Sequence, residues 1–205
     1  KRRGEGKGRI LKAALELFAD YGFDAVSTAD IAKKAGSSQS VVLYHFATKL
    51  ELWRAAVRLL FESIDVQKKF DDSMYKDLDP LSRVRILLRG FILTSARHPE
   101  LGRFIFREGT TGGERLNWLV EELARPNYQV FDMLFREAID AKLIKPYHPT
   151  MLTLFAHGAA ATIFNLSALS QILIDADPYS PEIIEMQSDM VVDILLNGIL
   201  LKPQA

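Results

Sequence analysis

The segment 27–49 concentrates polar side chains that can contact nucleic acid. Gln39 can pair with adenine through two hydrogen bonds, Ser40 can donate or accept one, and the Val41 methyl groups can touch a thymine methyl. A short helix with these residues at its outward N-terminus fits the major groove, where the first residues of the helix meet base edges. The pattern therefore indicates DNA recognition.

Two short helices joined by a tight turn must position these side chains. The run 27–30 resembles a capping box in which Asp replaces the preferred Glu or Gln. The helix that it begins runs to about Ala35, and Gly36 ends it because glycine allows a sharp reversal without a Cβ clash. Ser38 can cap the second helix, which is predicted over residues 39–46. Thr48 is placed to cap the helix that follows.

Apolar spacing assigns an inner and an outer face to these two helices. Ile31, Ala32 and Ala35 form the predicted inner face of the first helix. Val42 and Phe46, four residues apart, form that of the second. The outer face of the second helix then carries Gln39, Ser40, Val41, Leu43 and Tyr44.

The first 55 residues resemble the N-terminal domain of TetR-family transcription regulators. The resemblance rests on Ile10, Leu11, Ala13, Ala14, Leu17, Phe18, Gly22, Phe23, Ser27, Ile31, Ala32, Ala35, Gly36, Ser38, Tyr44, His45, Phe46 and Lys49 in this order and spacing. Val41 stands where the family often has Thr, and Leu43 where it often has Tyr. The neighbouring Tyr44 can replace the missing hydroxyl.

The resemblance implies a role for each polar residue of the segment. Ser27 and Thr28 would contact a phosphate or a nearby base. Bases would be read by Gln39, Ser40, Val41 and Tyr44. His45 and Lys49 would contact the DNA backbone. The predicted DNA-binding residues are Ser27, Thr28, Ser38, Gln39, Ser40, Val41, Tyr44, His45 and Lys49. The alternative is that the serines only cap helices, His45 only supports the fold, and Gln39 and Lys49 are solvated.

Helical apolar spacing continues through the rest of the chain, and strand signals are nearly absent. The predicted fold class is all-α, with about nine or ten helices. An N-terminal three-helix helix-turn-helix DNA-binding domain (residues 1–55) precedes a C-terminal helical domain for ligand binding and dimerisation (residues 56–205). Its last two helices are predicted over 151–174 and 182–201. The glycine-rich start, residues 1–7, is predicted to be a flexible arm.

Charge is unevenly distributed in a chain whose formal net charge is zero. Residues 1–58 contain eleven Lys and Arg and six Asp and Glu, whereas the remainder contains fifteen and twenty. A basic head on an acidic body is expected when only the head meets phosphate. There is no cysteine, which excludes disulfides and thiolate metal sites and is compatible with the cytoplasm. The apolar runs are too short to span a bilayer, so no membrane partner is predicted.

A single short recognition helix reads few base pairs, so useful specificity requires two copies at a fixed spacing. The last two helices, whose small residues allow close approach, are the predicted seam of a homodimer on a palindromic double-stranded DNA operator. The predicted interface residues are Leu152, Phe155, Ala159, Ile163, Met190, Val191, Ile194 and Leu195. The alternative is that both helices belong only to the internal core.

An aromatic segment with a few polar groups predicts a pocket for an unidentified small-molecule effector. The pocket residues are Phe104, Arg107, Trp118, Tyr128, Phe131, Phe135, His157 and Asn165. Aromatic residues at helical spacing are also typical of a plain core. We expect the effector to favour a conformation in which the spacing of the two DNA-binding domains no longer matches the operator. The effector must then bind this conformation and the DNA-binding conformation with different affinities.

The resemblance implies a sequence-specific transcriptional repressor, and two other classes of protein compete with it. The first is an enzyme, but the sequence lacks a glycine-rich phosphate loop, an HExxH element and a G-x-S-x-G element. Its four histidines have no metal-ligand spacing, so no metal, cofactor or catalytic residue is predicted. The second is a helical scaffold or partner-binding protein without DNA binding, which the departures at Val41 and Leu43 permit.

Overall fold

The computed structural model describes residues 2–64, 75 and 77–200, with side chains from residue 6 onward. These residues form helices and connecting segments, and their only β pairing is an isolated antiparallel bridge between Ile144 and Leu200. The all-α prediction is confirmed. Lys1, Leu201 and residues 65–74 lie outside the described residues.

Eleven α-helices are present in the described part of the chain. They are α1 (Arg2–Tyr21), α2 (Thr28–Lys34), α3 (Gln39–His45), α4 (Lys49–Ile64), α5 (Pro80–Arg97), α6 (Pro99–Thr111), α7 (Glu114–Leu119), α8 (Arg125–Asp140), α9 (Pro149–Asn165), α10 (Ser167–Ile174) and α11 (Pro181–Ile199). A π-helical turn, Val120–Ala124, joins α7 to α8 without a break. The described residues therefore contain ten separate helical segments, in agreement with the predicted nine or ten.

The first of two compact units comprises Lys1–Ile64 and Glu100–Trp118. Within it, α1 packs against α4 and α2, and α2 packs against α3. Its core contains the fully buried Ile10, Phe18, Ile31, Val42 and Trp53. This packing unit extends beyond residue 55, and the functional boundary between residues 55 and 56 stays a prediction.

The second unit comprises Asp65–Pro99 and Leu119–Ala205. Helices α5, α8, α9 and α11 pack against one another around a core that includes Leu88, Phe135, Ala156 and Val192. Asp79 begins α5 as its N-cap, with Pro80 in the first turn.

The predicted single helix over 151–174 is wrong, because the chain bends by 77° between α9 and α10. Leu166 lies at the bend with a backbone conformation outside the helical region, at φ −106° and ψ 37°. The Tyr179 hydroxyl donates a hydrogen bond of 3.2 Å to the carbonyl of Phe164. A side chain that donates to a helix carbonyl competes with the backbone N–H four residues later and interrupts the helical hydrogen bonds. The helical spacing of apolar residues does not reveal such a contact.

The predicted flexible arm is also corrected, since α1 already begins at Arg2. Glycines lower helix propensity, but propensity is a weak prior, and extension of an existing helix costs less than starting one.

None of the described helices is by itself long and apolar enough to cross a bilayer, although the bent pair α9–α10 meets that test when its two parts are taken together.

Candidate nucleic-acid interface

The start of α2 is fixed by a reciprocal capping box between Ser27 and Asp30. The Ser27 hydroxyl accepts a hydrogen bond from the Asp30 backbone N–H (3.1 Å), and the Ser27 backbone N–H donates to the Asp30 carboxylate (2.9 Å). Hydrogen bonds from the Ser27 hydroxyl and N–H hold the pKa of Asp30 below its ordinary value. The predicted capping role of Ser27 is confirmed, and its DNA contact stays a prediction.

Replacement of Ser27 by Ala should destabilise the protein by about 1 kcal/mol, because the N-cap acceptor is lost. The free energy of unfolding from urea denaturation measures the effect. Ser37→Ala is the control, since Ser37 lies in the α2–α3 turn and caps neither helix. Equal stability of Ser27→Ala and the wild type would contradict the assigned cap.

The α2–α3 turn depends on a left-handed glycine. Gly36 has φ +61°, a region that residues with a Cβ rarely adopt. The Ser37 backbone N–H donates to the Ala32 carbonyl at 2.9 Å, which closes the end of α2. Ser38 then caps α3 by accepting a hydrogen bond from the Val41 N–H (3.4 Å). The chain thus reverses within a few residues and α3 starts immediately afterwards.

Helix α3 buries one face and exposes the other, as predicted. Val42 is fully buried and Phe46 is 6% exposed. Gln39 and Ser40 are exposed, and Val41 and Tyr44 are 40% and 68% exposed. Leu43 on the same side is 46% exposed. A short helix that leaves large apolar and aromatic side chains beside polar ones uncovered has the composition of a base-reading surface.

The Gln39 side chain is held before any DNA is present. Its Nε2 donates a hydrogen bond of 3.1 Å to the Thr28 hydroxyl, which links the N-termini of α2 and α3. An amide has two N–H donors and one carbonyl acceptor, so most of its hydrogen-bonding capacity remains for a base edge. The sequence alone does not indicate this contact.

His45 and Lys49, which are predicted to contact the DNA backbone, are both half-buried. The His45 ring packs edge-on against Tyr44, with centroids 5.3 Å apart. The Lys49 ammonium lies 4.4 Å from the centre of the Phe23 ring. The aromatic face fixes the Lys49 stem while the ammonium keeps its donors, and Thr48 caps α4 through the Glu51 N–H (3.1 Å) as predicted.

Arg107 has a contact that the pocket prediction did not anticipate. It is exposed, and its guanidinium donates to the carbonyl of Asp20 at 2.8 Å. A Cβ on Gly22, whose φ is +85°, would lie 3.1 Å from the Arg107 Cδ. Arg107 therefore covers the end of α1 within the first unit. This contact joins residues 87 positions apart, so no local sequence signal reveals it.

The other predicted pocket residues fall into two groups. Phe104 and Trp118 belong to the first unit and pack on Trp53, with ring centroids at 5.4 and 5.5 Å. In the second unit, Tyr128 and Phe131 surround His157, with ring centroids at 4.6 and 4.8 Å. The remaining second-unit residues are Phe135, which is fully buried in the core, and Asn165, whose buried Oδ1 has no hydrogen-bond partner.

His157 is held in its neutral form. Burial lowers its pKa to about 4, against a weaker upward influence of Asp132. Its Nδ1 is buried without a hydrogen-bond partner, and the Phe91 ring lies 4.1 Å away between centroids. An aromatic enclosure cannot solvate an imidazolium as water does, so protonation is disfavoured.

Stability should therefore fall as the pH decreases from about 6.5 towards 4. The unfolded chain protonates His157 near its ordinary pKa of about 6.5 whereas the folded chain does not, so acid favours unfolding over this window and adds nothing more through His157 below pH 4. Urea denaturation at several pH values measures the slope, and His157→Gln should reduce it. An NMR titration midpoint of His157 near 6.5 would contradict the assignment.

The predicted dimer residues differ in how much surface they present. Leu152, Val191 and Leu195 are buried in the core of their own chain, so little of them is available to a second subunit. Ala159 and Ile163 are half-buried. The exposed residues are Phe155 (62%), Met190 (48%) and Ile194 (62%).

Further exposed apolar side chains accompany these three on α9, α10 and α11. They are Met151, Leu154, Leu169, Ile172, Leu173, Ile174 and Met186. We call this set, together with Phe155, Met190 and Ile194, the apolar face. Exposed apolar side chains that form a contiguous patch are typical of an interaction surface.

Comparison with known proteins shows which class of protein has this N-terminal arrangement. The family described as bacterial regulatory proteins, tetR family, matches residues 10–56. Over 56 residues the chain is 43% identical to the HTH-type transcriptional activator FasR of Mycolicibacterium smegmatis, which is 27% of this chain and 26% of FasR. Over 110 residues it is 29% identical to the HTH-type transcriptional regulator RutR of Escherichia coli, covering 54% of this chain and 50% of RutR.

The likeness in fold extends over nearly the whole chain. The structure of AibR in complex with isovaleryl coenzyme A and operator DNA has a TM-score of 0.67 and 21% identity, and the match covers 93% of this chain and 98% of AibR. The chain spans half or less of the length of FasR and RutR. Residues 10–56 thus match the tetR family of bacterial regulatory proteins, and the likeness to AibR shows a shared fold.

Proposed function

We propose that this protein is a sequence-specific DNA-binding transcriptional regulator, a repressor that a small-molecule effector releases from a palindromic operator. The observation that carries the proposal is the surface of α3. Val42 anchors this helix in the core while Gln39, Ser40 and Tyr44 remain exposed at its start and along its outer side. This geometry fits insertion into the major groove.

Dimerisation would supply the second DNA-binding domain, with its own copy of α3. The apolar face of α9, α10 and α11 is the proposed contact surface, with Phe155 and Ile194 among its most exposed members. A two-fold symmetric contact brings the same residues of both chains together, and a two-fold dimer matches a palindrome. Palindromic double-stranded DNA and a second copy of the chain are therefore the proposed partners.

AibR, a protein of similar fold, has a structure that contains isovaleryl coenzyme A together with operator DNA, which supports a small-molecule effector for this chain. Release of the DNA by that effector is our proposal. A ligand changes the DNA affinity only as far as it binds the two states of the regulator with different affinity. The proposed regulator has no catalytic activity of its own and acts in the cytoplasm, where its operator is accessible.

Selection of bound duplexes from a random-sequence pool tests this function directly. We expect a palindrome whose half-sites are separated by about one helical turn or a multiple of it. The affinity for the selected duplex should fall steeply as the salt concentration rises, because bound phosphates release counterions.

A pool that yields no enriched sequence at low salt would refute the proposed function and favour a helical scaffold. A single, unrepeated half-site would refute the dimeric mode of binding alone. Gln129→Ala is a suitable control protein for the selection, since this exposed glutamine lies on α8 and outside the proposed surface.

A further inference from the structure

A second cluster of aromatic and cationic side chains lies in the first unit, away from α3. It consists of Trp53, Arg54, Arg58 and Trp118, and we call it the Trp118 cluster. The Trp118 ring lies 5.0 Å from the Arg58 guanidinium carbon and 5.3 Å from that of Arg54. Trp53 packs on the same ring at 5.5 Å between centroids.

Two buried donors in this cluster have no acceptor. The Trp53 side chain is fully buried, and its indole Nε1 has no hydrogen-bond partner. The Arg54 Nε is also buried and unpaired. Both atoms can only donate hydrogen bonds. A buried donor without an acceptor destabilises a fold, so unpaired donors of this kind call for an explanation.

Among the described residues, the two arginines also have no carboxylate partner. No ion pair joins either guanidinium to a carboxylate in the described ranges, whereas Arg103 and Arg115 of the same unit are paired with Asp20 and Glu108. Arg54 and Arg58 are four residues apart on α4, so they share one side of the helix and repel each other. Two neighbouring guanidinium groups, one of which has a buried and unpaired Nε, are suited to an anionic acceptor.

We propose that the Trp118 cluster binds the acidic group, a carboxylate or a phosphate, of a small organic effector whose planar or apolar part lies against Trp118. Arg58 and Arg54 supply charge-assisted hydrogen bonds to the acid. The aromatic rings supply apolar contact, the combination found in small-molecule sites. This inference rests on the proposed function only in calling the bound molecule an effector. Binding to the cluster itself can be measured without DNA.

The position of the cluster links binding to the DNA-contacting residues. Helix α4 carries Lys49 in its first turn and Arg58 nine positions later, so the two lie about 13 Å apart along the axis. An anion bound at Arg58 therefore contacts the same rigid helix that places Lys49. It is also too far along the helix to occupy the Lys49 phosphate contact.

Intrinsic fluorescence isolates this site, because the only two tryptophans of the sequence are Trp53 and Trp118. The probes are 4-phenylbutanoate, its neutral amide and 3-phenylpropyl phosphate, titrated into the full chain without DNA. We expect saturable quenching by at least one of the acids, with the amide binding at least tenfold more weakly. The acid that binds more tightly identifies the preferred acidic group.

Charge-removing variants then assign the contact. Arg58→Met should weaken binding of the preferred acid at least tenfold and leave the weak amide affinity unchanged. Arg58 is exposed, so the fold should tolerate this change, and circular dichroism checks it. Arg136→Met is the matched control, since Arg136 is an exposed arginine on α8, and it should bind the acid as the wild type does. Trp118→Leu should weaken both acid and amide, with Trp53 as the remaining reporter.

Three outcomes would overturn the proposal: no saturable quenching by either acid, equal affinity for acid and amide, or unchanged acid binding by Arg58→Met. A loss of operator affinity in ligand-free Arg58→Met would assign the arginine to DNA phosphates instead. The ligand-free wild type is assayed on its selected duplex in parallel, so failure of this site and failure of the proposed function are distinguishable.

Discussion

Replacement of Ile194 by Asp should convert the proposed dimer to a monomer and abolish operator binding. Ile194 is 62% exposed on the apolar face. In a two-fold interface the substitution places two carboxylates in apolar surroundings, and each buried ion costs several kcal/mol. A cost of about 4 kcal/mol already weakens dimerisation about a thousandfold. Sedimentation velocity measures the association, and a shift assay on the selected duplex measures DNA binding.

Met133→Asp is the matched control for this experiment. Met133 is 48% exposed on α8 and lies outside the apolar face. This variant should remain dimeric and bind the operator. A dimeric Ile194→Asp variant would show that the apolar face is not the contact surface between subunits.

Replacement of Gln39 by Ala should reduce affinity for the selected operator by about 2–6 kcal/mol, because a bidentate base contact of about 1–3 kcal/mol is lost in each of two half-sites. The loss should be much smaller on unrelated DNA, so sequence preference decreases. Lys49→Ala should weaken binding to all sequences and reduce the salt slope by about 2, one phosphate contact for each subunit. Affinities on both duplexes over a salt series measure the two effects.

Gln129→Ala and Arg136→Ala control for the loss of an exposed amide and of an exposed cation. Because Gln39 also donates to Thr28, Thr28→Val removes this orienting contact together with the hydroxyl that Thr28 is predicted to offer to DNA. An equal effect of Gln39→Ala and Lys49→Ala on specific and unrelated DNA would refute the division between base reading and backbone contact.

The helix-turn-helix could be predicted because its determinants are local. Ser27 and Ser38 cap helices three residues ahead of the N–H groups that they accept from, and Gly36 supplies the left-handed turn. Burial of Val42 and Phe46 follows from their spacing of four residues. Each of these features depends on contacts between near neighbours in the chain, which spacing alone can specify.

The residues that we assign to effector binding are harder to predict because their contacts are distant in sequence. Arg107 is of a residue type expected in a polar corner of a pocket, yet its guanidinium donates a hydrogen bond to the backbone carbonyl of Asp20. The sequence does not distinguish Arg54 and Arg58, because arginine on a helix is usually solvated. Only the approach of Trp118 marks them out. The unpaired donors of Trp53 and Arg54 are visible only once the surrounding atoms are placed.

The apolar residues of α9 and α11 show which features the sequence determines and which features tertiary packing decides. Helical periodicity determines that both helices have apolar residues around much of their circumference. Tertiary packing decides that Leu152 and Leu195 face the core whereas Phe155 and Ile194 remain uncovered. Hydrogen bonds along one helix depend on residues three or four positions away and are therefore written in the local sequence. The face that a helix buries depends on which distant helix packs against it.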